Sequence, residues 1–180
     1  MDAGGTAVVW RSWDERDGWM LAEWLSDPQE CEWAIGHHPF THEDFVQWQT
    51  SGDQFGYVLE YLGDPVAYGE VWVDHAAQDT ELAHIIVAPA ARGQGWGKRI
   101  TELLFLEAVK YGFPWTYMRV HPVNARAVAC YKSVRFVEWA EADGDWSNDW
   151  TWLRRMKPGL MQCRIIEEGD SLVLVPPESA

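Results

Sequence analysis

The spacing of apolar and polar residues changes period several times along the chain, and each change marks an element. Residues 6–13 (TAVVWRSW) predict a first strand, and residues 18–36 a helical region that Pro28 interrupts or restarts. Residues 41–52 (THEDFVQWQTSG) predict a helix with strong start signals. Thr41 and Asp44 have the spacing of a capping box, with Asp in place of Glu or Gln, and Phe40 and Phe45 that of a hydrophobic staple. Gly52 is expected to end that helix. Two strands follow, FGYVLEY and PVAYGEVWV, joined by a turn at Gly63-Asp64. After the polar stretch DHAAQD, ELAHIIVAP (81–89) predicts a strand whose continuous apolar end suits a buried central position.

Beyond it, Ile100, Leu103, Leu104, Ala108 and Tyr111 recur at helical spacing until Gly112 and Pro114 stop the pattern. WTYMRVHP predicts a strand, NARAVACYKSV a short helix, and FVEWAEA and DWTWLRRM two more strands around a polar loop. The tail CRIIEEGDSLVLVPPESA has the pattern of a hairpin turning at EGD before a loose PPESA end. The order predicts an α/β protein, a mixed sheet with helices packed on it. Residues 1–160 are expected to form one domain and 161–180 an extension.

Charge and composition then narrow the function. A net charge of −14 argues against nucleic acid, whose phosphates require a dense basic surface, and against anionic membranes. It suits a cationic partner, or simply solubility. Cys31, Cys130 and Cys163 lie far apart, and there is no Cys/His cluster at zinc spacing, so no metal is expected. The N-terminus does not resemble a signal peptide, and no apolar run approaches the ~18 residues of a membrane helix. A cytoplasmic protein with reduced thiols is expected.

The candidate chemistry begins at VAPAARGQGWGK (87–98). Three alternating glycines between a strand and a helix leave main-chain N–H groups at a helix N-terminus uncovered, a favourable place for phosphate. Arg92 and Lys98 add charge. The P-loop pattern is absent, because Gly is missing at Arg92 and Ser/Thr at Arg99, and G-x-G-x-G is not the dinucleotide spacing.

The pattern V-x-P-x-x-R-G-x-G-x-G, here Val87, Pro89, Arg92, Gly93, Gly95 and Gly97, resembles the acetyl-CoA signature of the GNAT superfamily of N-acyltransferases. The strand ending in VHPVN and the run Asn124, Ala127, Tyr131 and Phe136 follow in that family's order. The resemblance covers roughly Glu81 to Val137. It implies a central mixed, mostly antiparallel sheet flanked by helices, and acetyl-CoA as cosubstrate. It implies that the backbone of Gly93, Gln94, Gly95, Trp96, Gly97 and Lys98 cradles the CoA pyrophosphate, while the pantetheine arm pairs along the end of the Glu81–Val87 strand. A backbone N–H near Val87 or Ala88 would polarise the thioester carbonyl. Asn124 would cap its helix or contact the arm, and Tyr131 would be the general acid for the departing thiolate. Arg135 stands where the family commonly has glycine, which is expected to alter the turn out of that helix. Arg119 stands where some relatives place a glutamate, which argues against a base there.

The amine must lose a proton before it attacks. With a lysine-like pKa of ~10.4, that costs on the order of 4–5 kcal/mol at pH 7. Glu81 opens its strand six residues before Val87, where the resemblance implies a catalytic glutamate, and is the expected base; Glu70 is its rival, and His84 and His121 are further candidates. Strand alternation predicts that Glu81 and His84 lie on opposite faces. The expected acceptor is a primary amine on a small cationic molecule. The resemblance implies that its walls come from Glu138–Asp149, with five acids and the indoles Trp139, Trp146, Trp150 and Trp152 in or near it, and from the N-terminal helices with Trp24, Trp33 and Trp48. A peptide N-terminus or lysine, and a non-catalytic CoA-binding module, are the alternatives. A homodimer is compatible with the family.

Overall fold

The computed structural model describes residues 8–140, 149–157, 164–168 and 171–175, the last two stretches as backbone only. Seven strands form one sheet: β1 (Val8–Ser12), β2 (Gln54–Tyr61), β3 (Asp64–Asp74), β4 (Asp79–Val87), β5 (Trp115–Val120), β6 (Val137–Glu138) and β7 (Thr151–Met156). Their order is β1-β2-β3-β4-β5-β7-β6. Neighbours are antiparallel except β4 and β5, which run parallel. Strands β8 (Arg164–Glu168) and β9 (Ser171–Val175) pair as the expected hairpin, whose turn lies outside the described residues, as does the PPESA end.

The helices are α1 (Asp17–Trp24), α2 (Pro28–Ile35), α3 (His42–Thr50), α4 (Trp96–Ala108) and α5 (Ala125–Ser133). Pro28 restarts the chain rather than kinking it. It occupies the first turn of α2, where its missing N–H costs nothing, and the Asp27 carboxylate accepts from Glu30 N–H at 2.9 Å. Thr41 and Asp44 form the reciprocal capping box of α3, and Phe40 and Phe45 are both buried beside it. Gly52 is not a left-handed cap. α3 stops at Thr50 because Ser51 is already extended.

Alternation along the strands divides the core in two. Leu59, Val71 and Leu82 pack on Ile100, Leu104 and Phe105 of α4. Val58, Tyr68 and Ile86 pack on Leu21, Cys31 and Phe45 of α1–α3. β3 is buried from Val66 to Val71, as a central strand should be.

Three expectations need correction. The β2–β3 turn is at Leu62-Gly63, not Gly63-Asp64; both of its residues have positive φ, matching the twist of a two-residue hairpin. The strand expected over FVEWAEA shrinks to Val137–Glu138, and residues 141–148 lie outside the described part. Arg135 does not redirect the turn after α5. It adopts the left-handed conformation a glycine would take (φ 69°), and its N–H still closes on Lys132 O at 3.1 Å.

An exposed arginine in that conformation is strained, because Cβ crowds the following carbonyl. Glycine removes the strain but adds unfolded-state freedom. Arg135→Gly is therefore expected to raise stability by about 0.5–1 kcal/mol. Urea denaturation of the two proteins measures the difference, and a destabilised variant would contradict the strain argument.

Candidate active site

β4 and β5 pair over only three positions, Asp79–Trp115, Thr80–Thr116 and Glu81–Tyr117. Beyond Glu81 and Tyr117 they part, and a cavity of about 1000 Å³ occupies the gap, lined by residues 82–87 of β4 and Met118, Arg119 and Val120 of β5. The glycine loop, α5 and Glu30 of α2 meet at its Val87 side, Trp72 lies opposite Glu81 on β3, and the rest of α2 and Trp150 complete the wall. Six residues of β4 at ~3.3 Å each give it a length of roughly 20 Å.

At the loop end, Gly93 (φ 75°) and Gly95 (φ 88°) hold left-handed conformations that side chains resist, and Gly95 caps α4. Arg99 N–H donates to Gly95 O, so the N–H groups of Trp96, Gly97 and Lys98 remain outside the helix ladder. Gly93, Gly95, Trp96, Gly97 and Lys98 all line the cavity, whereas Gln94 does not; its side chain donates to Ala90 O. Lys98 and Arg126 are exposed at the rim. Open amides at a helix N-terminus flanked by two cations fit a diphosphate.

Two expected ligand groups are otherwise engaged. The Arg92 guanidinium binds Glu30 of α2 at 2.8 Å and donates through Nε to Val87 O, so it ties α2 to the loop. Ala88 is buried and its N–H donates to Val66 O at 3.0 Å, which removes it as a donor to a thioester. Alternation along the strand turns the Val87 N–H the other way, toward the gap that β5 has left.

Asn124 caps α5, its side chain accepting from Ala127 N–H at 3.1 Å; this leaves its amide N–H₂ for the cavity it lines. Ala127, Cys130 and Tyr131 share that face. Tyr131 is half-buried, and burial pushes its phenol well above the usual range, so it stays protonated at any working pH. Burial also raises the Cys130 thiol, against the pull of Lys98 and Arg126.

The candidate bases separate clearly. Glu81 lines the cavity but is ion-paired with Arg119 at 2.7 Å. Burial raises its pKa, while Arg119 opposes the rise. Arg119 in turn lies over the Trp72 and Trp152 rings. Glu70 is fully buried and not part of the cavity wall. Its carboxylate accepts from Tyr68 Oη at 2.7 Å and Trp72 Nε1 at 2.6 Å, and His84 Nδ1 lies at 3.0 Å. Burial works against its charge, but His84 and the three hydrogen bonds outweigh it and hold the pKa below the usual value. His121 lies between Trp33 and Trp150, outside the wall.

The expected separation of Glu81 and His84 is overturned. The β3–β4 register slips between Tyr68 and Glu70, and His84 takes φ 47°. This β-bulge carries His84 onto the same face as Glu81, Glu70 and Trp72. The signal was available, since Gly69 lies inside PVAYGEVWV opposite the slip, and a lone glycine in a strand often marks a bulge.

The aromatic wall is partly as expected. Trp33 and Trp150 line the cavity, as does Trp72, which the sequence alone did not single out although it is two residues from Glu70. Trp48 stacks on His84, Trp24 packs in the core, and Trp139 packs on Tyr117. Trp152 is buried against β5, and Trp146 with most of the acidic stretch lies outside the described residues. Among the described residues, no cluster has three metal-ligating side chains, and no helix is long and apolar enough to cross a membrane.

Comparison with known proteins agrees with this geometry. A curated relative, the mycothiol acetyltransferase of Jonesia denitrificans, is 30% identical over 99 residues, covering 54% of this chain and 31% of its own length. The matched part is thus about a third of that relative. The spermidine N-acetyltransferase of Vibrio cholerae, solved with CoA and spermine, superposes with a TM-score of 0.69 at 15% identity, over 84% of this chain and 96% of that one. The ribosomal-protein-alanine N-acetyltransferase of Brucella melitensis does so with 0.67 at 21% identity, over 82% and 99%. The seven-stranded sheet, the parted strands and the match of residues 12–136 to the acetyltransferase (GNAT) family place the chain in that family.

Proposed function

We propose that the protein transfers the acetyl group of acetyl-CoA to a primary amine on a small cationic molecule of the polyamine or amino-sugar type. The observation that carries this reading is one continuous cavity lined by the helix-start residues of α4, by the parted edge of β4 with Glu81, and by the indoles Trp33, Trp72 and Trp150. The helix start suits a diphosphate. The gap beside β4 suits an extended arm whose amides replace the hydrogen bonds β5 no longer makes. The indoles in its wall, Trp33, Trp72 and Trp150, suit an ammonium, because a π face is worth ~0.5–2 kcal/mol to a desolvated cation. The net charge of −14 draws cations toward the molecule from solution. The polyamine enzyme with spermine bound shares this fold and supports the same substrate class.

A peptide α-amine is the second reading, favoured by Arg119. Its side chain is partly open between Trp72 and Trp152, and a guanidinium there suits a peptide carbonyl or carboxylate.

Tyr131 is the general acid in this reading. Its raised pKa makes donation to an ordinary thiolate uphill, but a thiolate expelled into the same enclosed space is desolvated too and becomes more basic.

A thiol-release assay over polyamines, amino sugars and basic peptides tests the substrate class. Turnover of small amines supports the first reading and peptide-only turnover the second, while tight acetyl-CoA binding without any turnover refutes both. Tyr131→Phe is expected to cut kcat by ~10²-fold or more while sparing acetyl-CoA affinity. Equal activity in the variant would remove Tyr131 from the mechanism. Gly95→Val places a β-branched residue at φ 88° and is expected to weaken acetyl-CoA binding about tenfold or more, read by calorimetry; unchanged affinity would refute the cradle.

A further inference from the structure

We infer that His84, held in one tautomer by the buried carboxylate of Glu70, is the base that takes the proton of the acceptor ammonium. This rests on the acetyl-transfer reading and assigns a residue within it.

The argument starts from strain. A histidine in mid-strand at φ 47° is unfavourable and persists only where its surroundings impose it. Here they do. The ring stacks on Trp48 at 4.0 Å between centroids and meets the Trp72 edge at 5.2 Å. The bulge brings Nδ1 within 3.0 Å of Glu70 Oε1. The other hydrogen bonds to the Glu70 carboxylate come from Tyr68 and Trp72, and the bulge adds a third donor, His84 Nδ1.

The tautomer follows from that contact. Glu70, anionic and already accepting from Tyr68 and Trp72, can only accept from Nδ1. Nδ1 therefore carries the proton, and the neutral ring leaves Nε2 bare. The His84 side chain is 12% exposed and lines the cavity between the loop end and the Glu81 end. Those are the two directions from which the thioester and the amine would arrive.

Neither rival is as well placed. Glu81 is bound to Arg119, and Glu70 is sealed behind the ring. The groups around the imidazole are Glu70 with Tyr68 behind it on β3, Glu81 of β4 with its Arg119 partner on β5, and the neutral rings of Trp48 on α3 and Trp72 on β3. Asp17 of α1, bound by Arg11, lies farther off beyond Tyr68.

The step balances. Nε2 takes one proton from the ammonium and later passes it to solvent. The freed lone pair forms the C–N bond, the C–S bond breaks, and the thiolate takes the Tyr131 proton. The second N–H proton, lost as the adduct collapses, restores Tyr131 through solvent. Glu70 touches no substrate and is a positioning residue.

The test uses the full chain with acetyl-CoA and whichever amine of the panel is turned over. His84→Asn tolerates the left-handed backbone and is expected to lower kcat/KM for the amine by ~10²-fold or more, with acetyl-CoA affinity unchanged and the acidic limb of the pH profile gone. In His84→Gly, which fits the bulge and leaves room for a ring, added imidazole is expected to restore turnover. Glu70→Gln is expected to lower kcat/KM while sparing acetyl-CoA affinity and to mix the two imidazole tautomers, read by nitrogen NMR, because an amide can donate to Nδ1 as well as accept from it. Nitrogen NMR of the wild-type imidazole reads the tautomer without relying on any variant's folding, and a proton on Nε2 rather than Nδ1 would overturn the inference. So would an acidic limb that survives in His84→Asn and disappears in Glu81→Gln. If the wild type turns over no amine, the transfer reading itself falls and the role of His84 falls with it. Turnover in the wild type with an unaffected His84→Asn sinks only the present assignment.

Discussion

Everything in the site depends on a hydrogen-bond ladder that stops. β4 and β5 pair over three positions and then part, although both strands continue. Each leaves main-chain groups facing the gap, and such groups must find partners. A continuous sheet would satisfy them and leave no cavity. Parted strands satisfy them only with water or with a ligand that carries its own amides. Placing a helix N-terminus at the mouth of that gap adds a fixed positive end, so one discontinuity selects for an extended molecule with an anionic terminus.

Charge inside the cavity is arranged by pairs rather than by a uniform field. Arg92 is tied to Glu30 and Arg119 to Glu81, so two apparent ligand groups serve first to fix α2 and β5 against β4. Both pairs are only partly enclosed, where an ion pair contributes modestly to stability. Their larger effect is geometric. Each fixes one wall of the cavity, and Glu30 takes up the Arg92 charge that would otherwise compete for the ligand. What remains open are the exposed Lys98 and Arg126 at the diphosphate end and the indoles in the wall.

The features legible in the sequence were those governed by local rules. The capping box at Thr41 and Asp44, the restart at Pro28, the cap at Asn124 and the glycines of the loop depend on residues a few positions apart. The order of motifs from Val87 to Phe136 supplied the family. What was not legible depends on partners far along the chain. Arg92 meets a glutamate 62 residues away, and no local pattern announces it. Likewise, the N–H of Ala88 is spent on Val66, a pairing that requires the β3 register to be known. The face of His84 was misread because a period of two was carried through a bulge, and a single extra residue reverses every side chain after it. Gly69 carried the warning, but only a reader already expecting the strand pairing would have used it.

Backbone strain separates positions that shape the fold from one that shapes the chemistry. Among the described residues, four that are not glycine have positive φ: Leu62, Gln78, His84 and Arg135. Three of them lie where the chain turns: Leu62 between β2 and β3, Gln78 between β3 and β4, and Arg135 after α5. Reversal of direction explains those without reference to ligands. His84 reverses nothing. It lies within a strand, opposite a neighbour that continues without interruption, and its ring is gripped by a carboxylate and two indoles. A plain strand would pair better and bury Glu70 without the bulge only by leaving that carboxylate short of its third partner. The strain and the buried charge therefore stabilise each other's presence: the carboxylate anchors the ring, and the ring gives the carboxylate its third hydrogen bond. His84 lines the same gap the parted strands opened, which ties the chemistry of the site to the interruption of the sheet.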